Sequence, residues 1–228
     1  MDEWVINTAY LWGVLLLIPV WLFIFYKRKD LRCKLWHTGR AFGIASVVLG
    51  QLFTSDYWNP HYAFGPYFPL EDFLYGLIYA GITTVIYQFI FQVKFSSETI
   101  ISTKRLTLLF AGISFITLYI FIKQLNLNSI FGQIIMLILV GIYTIIKRPD
   151  LLKHIIISSF SVTLFTFLWQ SIILWIYPKG VMDNWEANAL FNVYLFKVPL
   201  EELLFAFSIG WGGSFFYEVS NGKLICEK

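Results

Sequence analysis

Charge is scarce in this chain: 14% of its 228 residues are Asp, Glu, Lys or Arg, while 58% are hydrophobic. A soluble domain of ordinary surface carries about a quarter, so that class is excluded. Cysteine is scarce as well, with Cys33 and Cys226 alone, and no disulfide framework is implied. The three histidines, His37, His61 and His154, fall at predicted loops or span ends. No His/Cys set has zinc spacing, so no metal site is expected. The first apolar run lacks the basic flank of a cleavable signal, since MDE precedes it, and it is read as a retained span. Lysine is missing from the last apolar run, because Lys197 precedes it; this excludes a retinal-binding opsin. Arginine is missing after Glu201 and Glu202, where LLFAF follows. The pair therefore does not match the EExxxR motif of intramembrane proteases.

What the chain has is apolar length. A spanning helix needs about 20 mostly apolar residues, and seven stretches are candidates: 4–26, 38–54, 69–93, 106–122, 129–146, 155–177 and 199–219. The second is short. The loops left between them are too small for a soluble domain, so the expected fold is all-α: one polytopic membrane domain, 1–228, of seven transmembrane helices. With the N-terminus outside, 14 of the 17 Lys and Arg residues fall on inner segments. That bias predicts the N-terminus out and the C-terminus cytoplasmic in a cell membrane. The net charge of +3 then describes topology, not nucleic-acid binding.

Two stretches read almost alike: PLEDFLYGLIYAGITTVIYQ at 69–88 and PLEELLFAFSIGWGGSFFYE at 199–218. They align Glu71 with Glu201, Asp72 with Glu202, Tyr75 with Phe205 and Tyr87 with Tyr217. The loops before them, SDYWNPHYAFGPYF (55–68) and VMDNWEANALFNVYLFK (181–197), are both aromatic and hold an Asp near a Trp. A 3+1+3 parallel repeat follows: unit one about 1–95, a connector helix about 104–124 and unit two about 128–220. Four spans separate the two motifs, so both begin helices at the same face.

Proline followed by acids is also an ordinary helix start, because free N–H groups and the helix dipole favour negative charge there. Here the acids begin membrane-length spans, where a carboxylate is costly, and they recur. Adjacent residues point about 100° apart on a helix, so at least one acid of each pair faces the bundle. Two carboxyls sharing a poorly hydrated site resist ionising together, which leaves one as an acid and one as a base. That division suits acid–base chemistry on a membrane-dissolved substrate. Aromatics make up 20% of the chain and attract cations when desolvated. Those near the acids are Trp58, Tyr62, Phe64, Tyr67, Phe68, Phe73, Tyr75 and Tyr79 in unit one. In unit two they are Trp185, Phe191, Tyr194, Phe196, Phe205, Phe207 and Trp211. Glu218 aligns with Gln88 near the inner helix end and is expected at the cytoplasmic interface.

PLED at 69–72, PLEE at 199–202, the upstream YWNPHYAFG and the trailing GITTVIYQ and GWGGSFFYE resemble the lycopene cyclase domain family, in its fused double-unit form. The resemblance covers essentially the whole chain. It implies a non-redox isomerisation of a polyene, a lycopene β-cyclase reaction. An acid protonates a terminal double bond, an internal double bond attacks the cation, and a base removes a proton to leave a β-ionone ring. Glu71 and Glu201 match the family's shared glutamate and would be the acid/base pair; Asp72 and Glu202 would tune them or relay protons. Tyr75, Phe205, Trp58 and Trp211 are the expected substrate-binding rings. No flavin or other cofactor is implied, and no G-x-G-x-x-G follows a strand. The implied partner is a hydrophobic polyene in the bilayer; a homo-oligomer and association with other carotenoid-pathway enzymes both stay open. The alternative is a small-solute transporter built from parallel three-helix repeats. Mid-span polar residues are few for that role: Gln51, Gln88, Gln133 and Gln170 are the main ones.

Overall fold

The structure is a computed structural model that describes residues 3–54, 56–65, 67, 69–99, 112, 116–186 and 190–226. It is mostly helical. The first apolar run forms two helices, α1 (Glu3–Leu15) and α2 (Ile18–Lys27). They are separated at Leu16 and Leu17, just before Pro19, which stands in the first turn of α2, where a missing N–H costs nothing. A 3-10 turn, Lys29–Leu31, leads into α3 (Arg32–Phe53), and a loop leads on to α4 (Leu70–Ile90). After α4 comes strand β1 (Lys94–Thr99). Residues 116–123 are helical. Then follow α5 (Ser129–Lys147), the 3-10 turn Pro149–Leu151, α6 (Leu152–Ile176) and the short α7 (Pro178–Met182). The small strands β2 (Tyr194–Leu195) and β3 (Val198–Pro199) precede α8 (Leu200–Gly213), α9 (Phe216–Asn221) and β4 (Lys223–Cys226).

Among the described residues, four helical stretches are long and apolar enough to cross a membrane: Thr8–Lys27, Leu70–Ile90, Ser129–Lys147 and Pro149–Ile176. Of the other expected spans, α3 has 22 residues and opens with Arg32, Lys34 and Arg40. The stretch 199–219 is divided between α8 and α9. The expected connector span at 106–122, with Lys104 and Arg105 before it, lies mostly outside the described residues. Large apolar side chains such as Ile44, Phe160, Leu164 and Trp175 are exposed along the helices, as lipid-facing residues are.

Small residues set the packing. Helix α4 lies along α3, with Gly76 against α3: a Cβ there would come within 2.5 Å of the Phe42 carbonyl oxygen and 2.8 Å of Gly43 Cα. Helix α8 lies between α5 and α6 by the same means. A Cβ on Gly210 would sit 2.5 Å from Ser159 Cα, and one on Gly212 would sit 2.5 Å from the Leu137 carbonyl oxygen.

The two halves also share a turn. K-R-x-D-L stands at 27–31 and again at 147–151. In both copies the arginine grips the aspartate with two bonds, Arg28 to Asp30 at 2.9 and 2.7 Å and Arg148 to Asp150 at 2.7 Å twice. Arg28 also donates to the Val93 carbonyl beside β1, and Arg148 to the Lys223 carbonyl at the start of β4. β1 and β4 then pair antiparallel, Lys94 opposite Cys226, tying the two halves together at this end.

Candidate active site

The loops before α4 and α8 meet at the opposite end. Trp58 and Trp185 form an antiparallel bridge, flanked by Asn59 N–H to Asn184 O at 2.8 Å and Glu186 N–H to Tyr57 O at 3.0 Å. Asp56 receives the Ser129 backbone N–H at 2.9 Å and the Ser129 hydroxyl, fastening the first loop to the start of α5. Beneath this lid lies an apolar cavity of about 280 Å³ between the two halves.

Pro69 and Pro199 occupy the cap positions of α4 and α8, and the acids follow in the first turn. The two acids of each pair then part company. Glu71 accepts the Ala63 N–H at 2.7 Å, and Glu201 accepts the Phe191 N–H. Both are fully buried and turn back to the preceding loop, away from the cavity. Their Oε2 atoms have no hydrogen-bond partner among the described residues. Asp72 and Glu202 line the cavity, one from each half. Asp72 accepts from Tyr10 at Oδ1 and from Tyr62 at Oδ2, both at 2.7 Å. Glu202 accepts from Tyr57 at 2.7 Å and from the Trp185 indole at 3.1 Å, both on Oε1, and from Gln170 at 2.6 Å on Oε2. Burial, with Asp72 beside Tyr62 and Glu202 beside Tyr57, pushes both loop phenols well above their ordinary pKa. They remain neutral hydroxyls at physiological pH. Gly50 lets α3 come close to the carboxyl, since a Cβ there would lie 2.6 Å from Asp72 Oδ2.

Aromatic rings wall the cavity. Tyr75 stacks on Tyr79 at 4.8 Å, and the Trp169 ring lies 6.0 Å from each. The Trp169 indole donates to the Gly13 carbonyl at 2.9 Å, and Tyr79 shares a 2.6 Å bond with Thr166. Of the four expected substrate-binding rings, Trp58, Tyr75 and Phe205 line the cavity. Trp211 does not: its indole donates to the Ile138 carbonyl at 3.1 Å, and it packs against Gly141 of α5. The sequence placed it near the acids along the chain, but it lies more than two turns farther down α8. Phe64, Tyr67, Phe191, Tyr194 and Phe196 are exposed, and Phe68 lies outside the described residues. The sequence does not mark Tyr10, Tyr57 and Gln170 as ligands of the acids, nor Trp169 as a ring of the cavity. For Gln170 the signal was there, as one of the few mid-span polar residues.

A second buried polar cluster sits at the far end, between α4 and α9. Lys34 contacts Glu218 at 2.5 Å and Gln88 at 3.3 Å, and Gln88 donates to the same Glu218 oxygen at 2.6 Å. His154 stacks on Tyr87 at 4.9 Å. Lys34, Gln88 and Glu218 are 0% exposed and His154 is 2%. Glu218 therefore does not face the interface as expected: it is buried, and Lys34 is turned inward to neutralise it.

The family model for lycopene cyclase matches residues 7–90 and 128–220. No curated protein and no solved structure matches the chain.

Proposed function

Because the chain belongs to the lycopene cyclase family, we propose that it cyclises the ends of a linear polyene dissolved in the membrane, forming β-ionone rings by acid–base catalysis without net oxidation or reduction. One observation carries the reading: a carboxyl from each half lines a single apolar, ring-walled cavity. One of the two, as its acid, gives a proton to a terminal double bond. The electron pair of an internal double bond then closes the ring on the tertiary cation. The neighbouring C–H bond breaks, its electrons form the ring double bond, and the proton passes to the other carboxylate. The stacked Tyr75, Tyr79 and Trp169 present π faces to the transient cation, an attraction worth about 2 kcal/mol when desolvated. A hydrocarbon offers no polar handle, so an apolar cavity holds it by shape.

Under this reading Asp72 and Glu202 are the catalytic residues. Glu71 and Glu201 set the loops that close the cavity, a division suggested by their bonds to Ala63 and Phe191. The matching arginine turns and the β1–β4 pair support two related units, about 1–95 and about 128–220. With a connector helix at about 104–124, these would form a 3+1+3 membrane domain with its N-terminus outside. The transporter reading gains nothing here: Gln88 is spent on Lys34 and Glu218, and Gln170 on Glu202.

Expression of the full chain in a lycopene-accumulating bacterium, followed by pigment analysis, tests the proposal. β- or γ-carotene is expected. Unchanged lycopene with the protein verified in the membrane would overturn it. Asp72→Asn and Glu202→Gln should each lower conversion by about 100-fold or more, while Glu71→Gln and Glu201→Gln should retain measurable turnover.

A further inference from the structure

We infer that the two cavity carboxyls have fixed and different roles: Asp72 donates the proton, Glu202 receives it, and Tyr62 connects Asp72 to water at the lid. This rests on the cyclase reading and goes beyond it by giving each half of the site its direction.

The partners decide the roles. An indole N–H donates and never accepts. Trp185 and Tyr57 both donate to Glu202 Oε1, and Gln170 donates to Oε2. Three donors converge on one group, the indole among them unable to reverse, and hydrogen bonds to the charged form favour it. Glu202 is thus prepared as a carboxylate, with Oε2 as the oxygen that can take a proton while the Gln170 amide turns. Asp72 is held differently. Both of its partners are phenols, one on each oxygen, and a phenol oxygen accepts as readily as it donates. Asp72 can therefore carry a proton on either oxygen and point it at a tyrosine, losing no hydrogen bond.

Access to solvent divides the pair in the same direction. Tyr57, Trp185 and Gln170 are 2%, 8% and 7% exposed, so Glu202 is sealed behind its donors. Tyr62 stands on the loop between α3 and α4 and is only half-buried. Its hydroxyl reaches Asp72 Oδ2 at 2.7 Å. The donor must be recharged once per ring, and Tyr62 offers a one-hydroxyl path from the lid for that proton.

The Asp72 O–H bond breaks as a C–H bond forms at the terminal alkene carbon. After ring closure the adjacent C–H bond breaks and its proton goes to Glu202. When product leaves, water entering the cavity takes the proton from Glu202, and Asp72 regains one through Tyr62. No proton is consumed overall.

The test follows deuterium from D₂O into the carotenoid, using full-length protein in membranes and lycopene. Wild type should place one deuterium in each ring. Asp72→Asn should give neither ring nor deuterium. Glu202→Gln should lose β-rings by about 100-fold yet still accept deuterium, appearing in recovered polyene or in a ring isomer made by losing a different proton. Tyr62→Phe, a loop substitution that leaves the helices intact, should give product with less than one deuterium per ring. In that variant recharge through Tyr62 is lost, and the proton held by Glu202 is passed back across the cavity to Asp72 in competition with exchange by the water that enters when product leaves. A purely structural role for Tyr62 would slow turnover without changing deuterium per ring. Deuterium uptake by Asp72→Asn with none by Glu202→Gln would reverse the roles and overturn the assignment, as would full deuterium content from Tyr62→Phe. Absence of any ring from the wild type would instead bring down the cyclase reading itself.

Discussion

Replacing Lys34 with Met leaves a carboxylate buried with a single amide for company. In the native protein the Lys34 ammonium lies 2.5 Å from Glu218 Oε1, both side chains are 0% exposed, and Gln88 donates to the same oxygen. The other oxygen, Oε2, has no hydrogen-bond partner among the described residues. Breaking a buried pair from one side costs about 3–5 kcal/mol, because the remaining charge is uncompensated. Glu218→Gln should cost a similar amount, since the Lys34 ammonium then meets only neutral amide oxygens, Gln88 Oε1 at 3.3 Å among them. Removing both charges together is a different perturbation: an apolar or neutral pair of like volume in such a place is often no worse than the ions. The double variant Lys34→Met, Glu218→Gln should therefore be more stable than either single one, with a coupling of about 2–3 kcal/mol. Reversible unfolding in mixed micelles, followed by tryptophan fluorescence, measures all four corners of the cycle. Additivity within about 0.5 kcal/mol would show that the pair is not coupled. Single losses under about 1 kcal/mol would show that water reaches it as it does a surface bridge. Either result refutes the argument from burial.

Gly213 lines the inner end of the cavity, and a Cβ there meets only Phe42 Cζ at 3.9 Å and Ile209 Cγ2 at 4.0 Å. Gly213→Leu should leave unfolding unchanged and raise the apparent KM for polyene about tenfold. Gly76→Leu, pressed against Phe42 and Gly43, should destabilise by about 1–3 kcal/mol or more; wild-type unfolding would contradict the close helix approach. Arg28 donates to the Gln88 and Val93 carbonyls at 2.6 and 2.8 Å as well as to Asp30. Arg28→Met should cost about 2–3 kcal/mol and open the β1–β4 pair to hydrogen exchange, more than Arg148→Met, whose arginine is less buried. The Arg28 guanidinium, by its hydrogen bond to Asp30, holds that carboxyl below its ordinary pKa of 3.8. Its contribution is present above that value and is lost as pH falls through the lower, folded one. Exchange at this turn should quicken only in strong acid, and an onset near neutral pH would contradict the bond.

Much of this was legible in the residues. Apolar length announced membrane helices, and among the described residues four of the expected runs are long and apolar enough to cross. The paired PLED and PLEE segments pointed to the lycopene cyclase family, and the family match bears that out. Proline followed by acids located the helix starts to within a residue, because the chemistry of a helix N-terminus is local. The K-R-x-D-L pair is equally visible in the sequence, but no local pattern says that its arginines reach the Val93 and Lys223 carbonyls. Helix breaks were less legible. The division of 199–219 between α8 and α9 follows Gly212, Gly213 and Ser214, small residues that permit a break without requiring one, and the apolar pattern around them carries no periodic signal.

From composition, spacing and motif alone follow the helical membrane character, the two acid pairs and the family. These depend on neighbours along the chain and on the solvent each stretch tolerates. Which acid of each pair meets the cavity depends on how α4 and α8 are rotated about their axes. That rotation is set by Gly76 against α3, by Gly210 and Gly212 against α6 and α5, and by loop N–H groups from Ala63 and Phe191. Adjacent side chains on a helix diverge by about 100°, so only packing could choose between Glu71 and Asp72. It also brought Lys34 to Glu218 across 184 positions of sequence, a pairing no local pattern encodes, because it exists only where two halves close around buried charge.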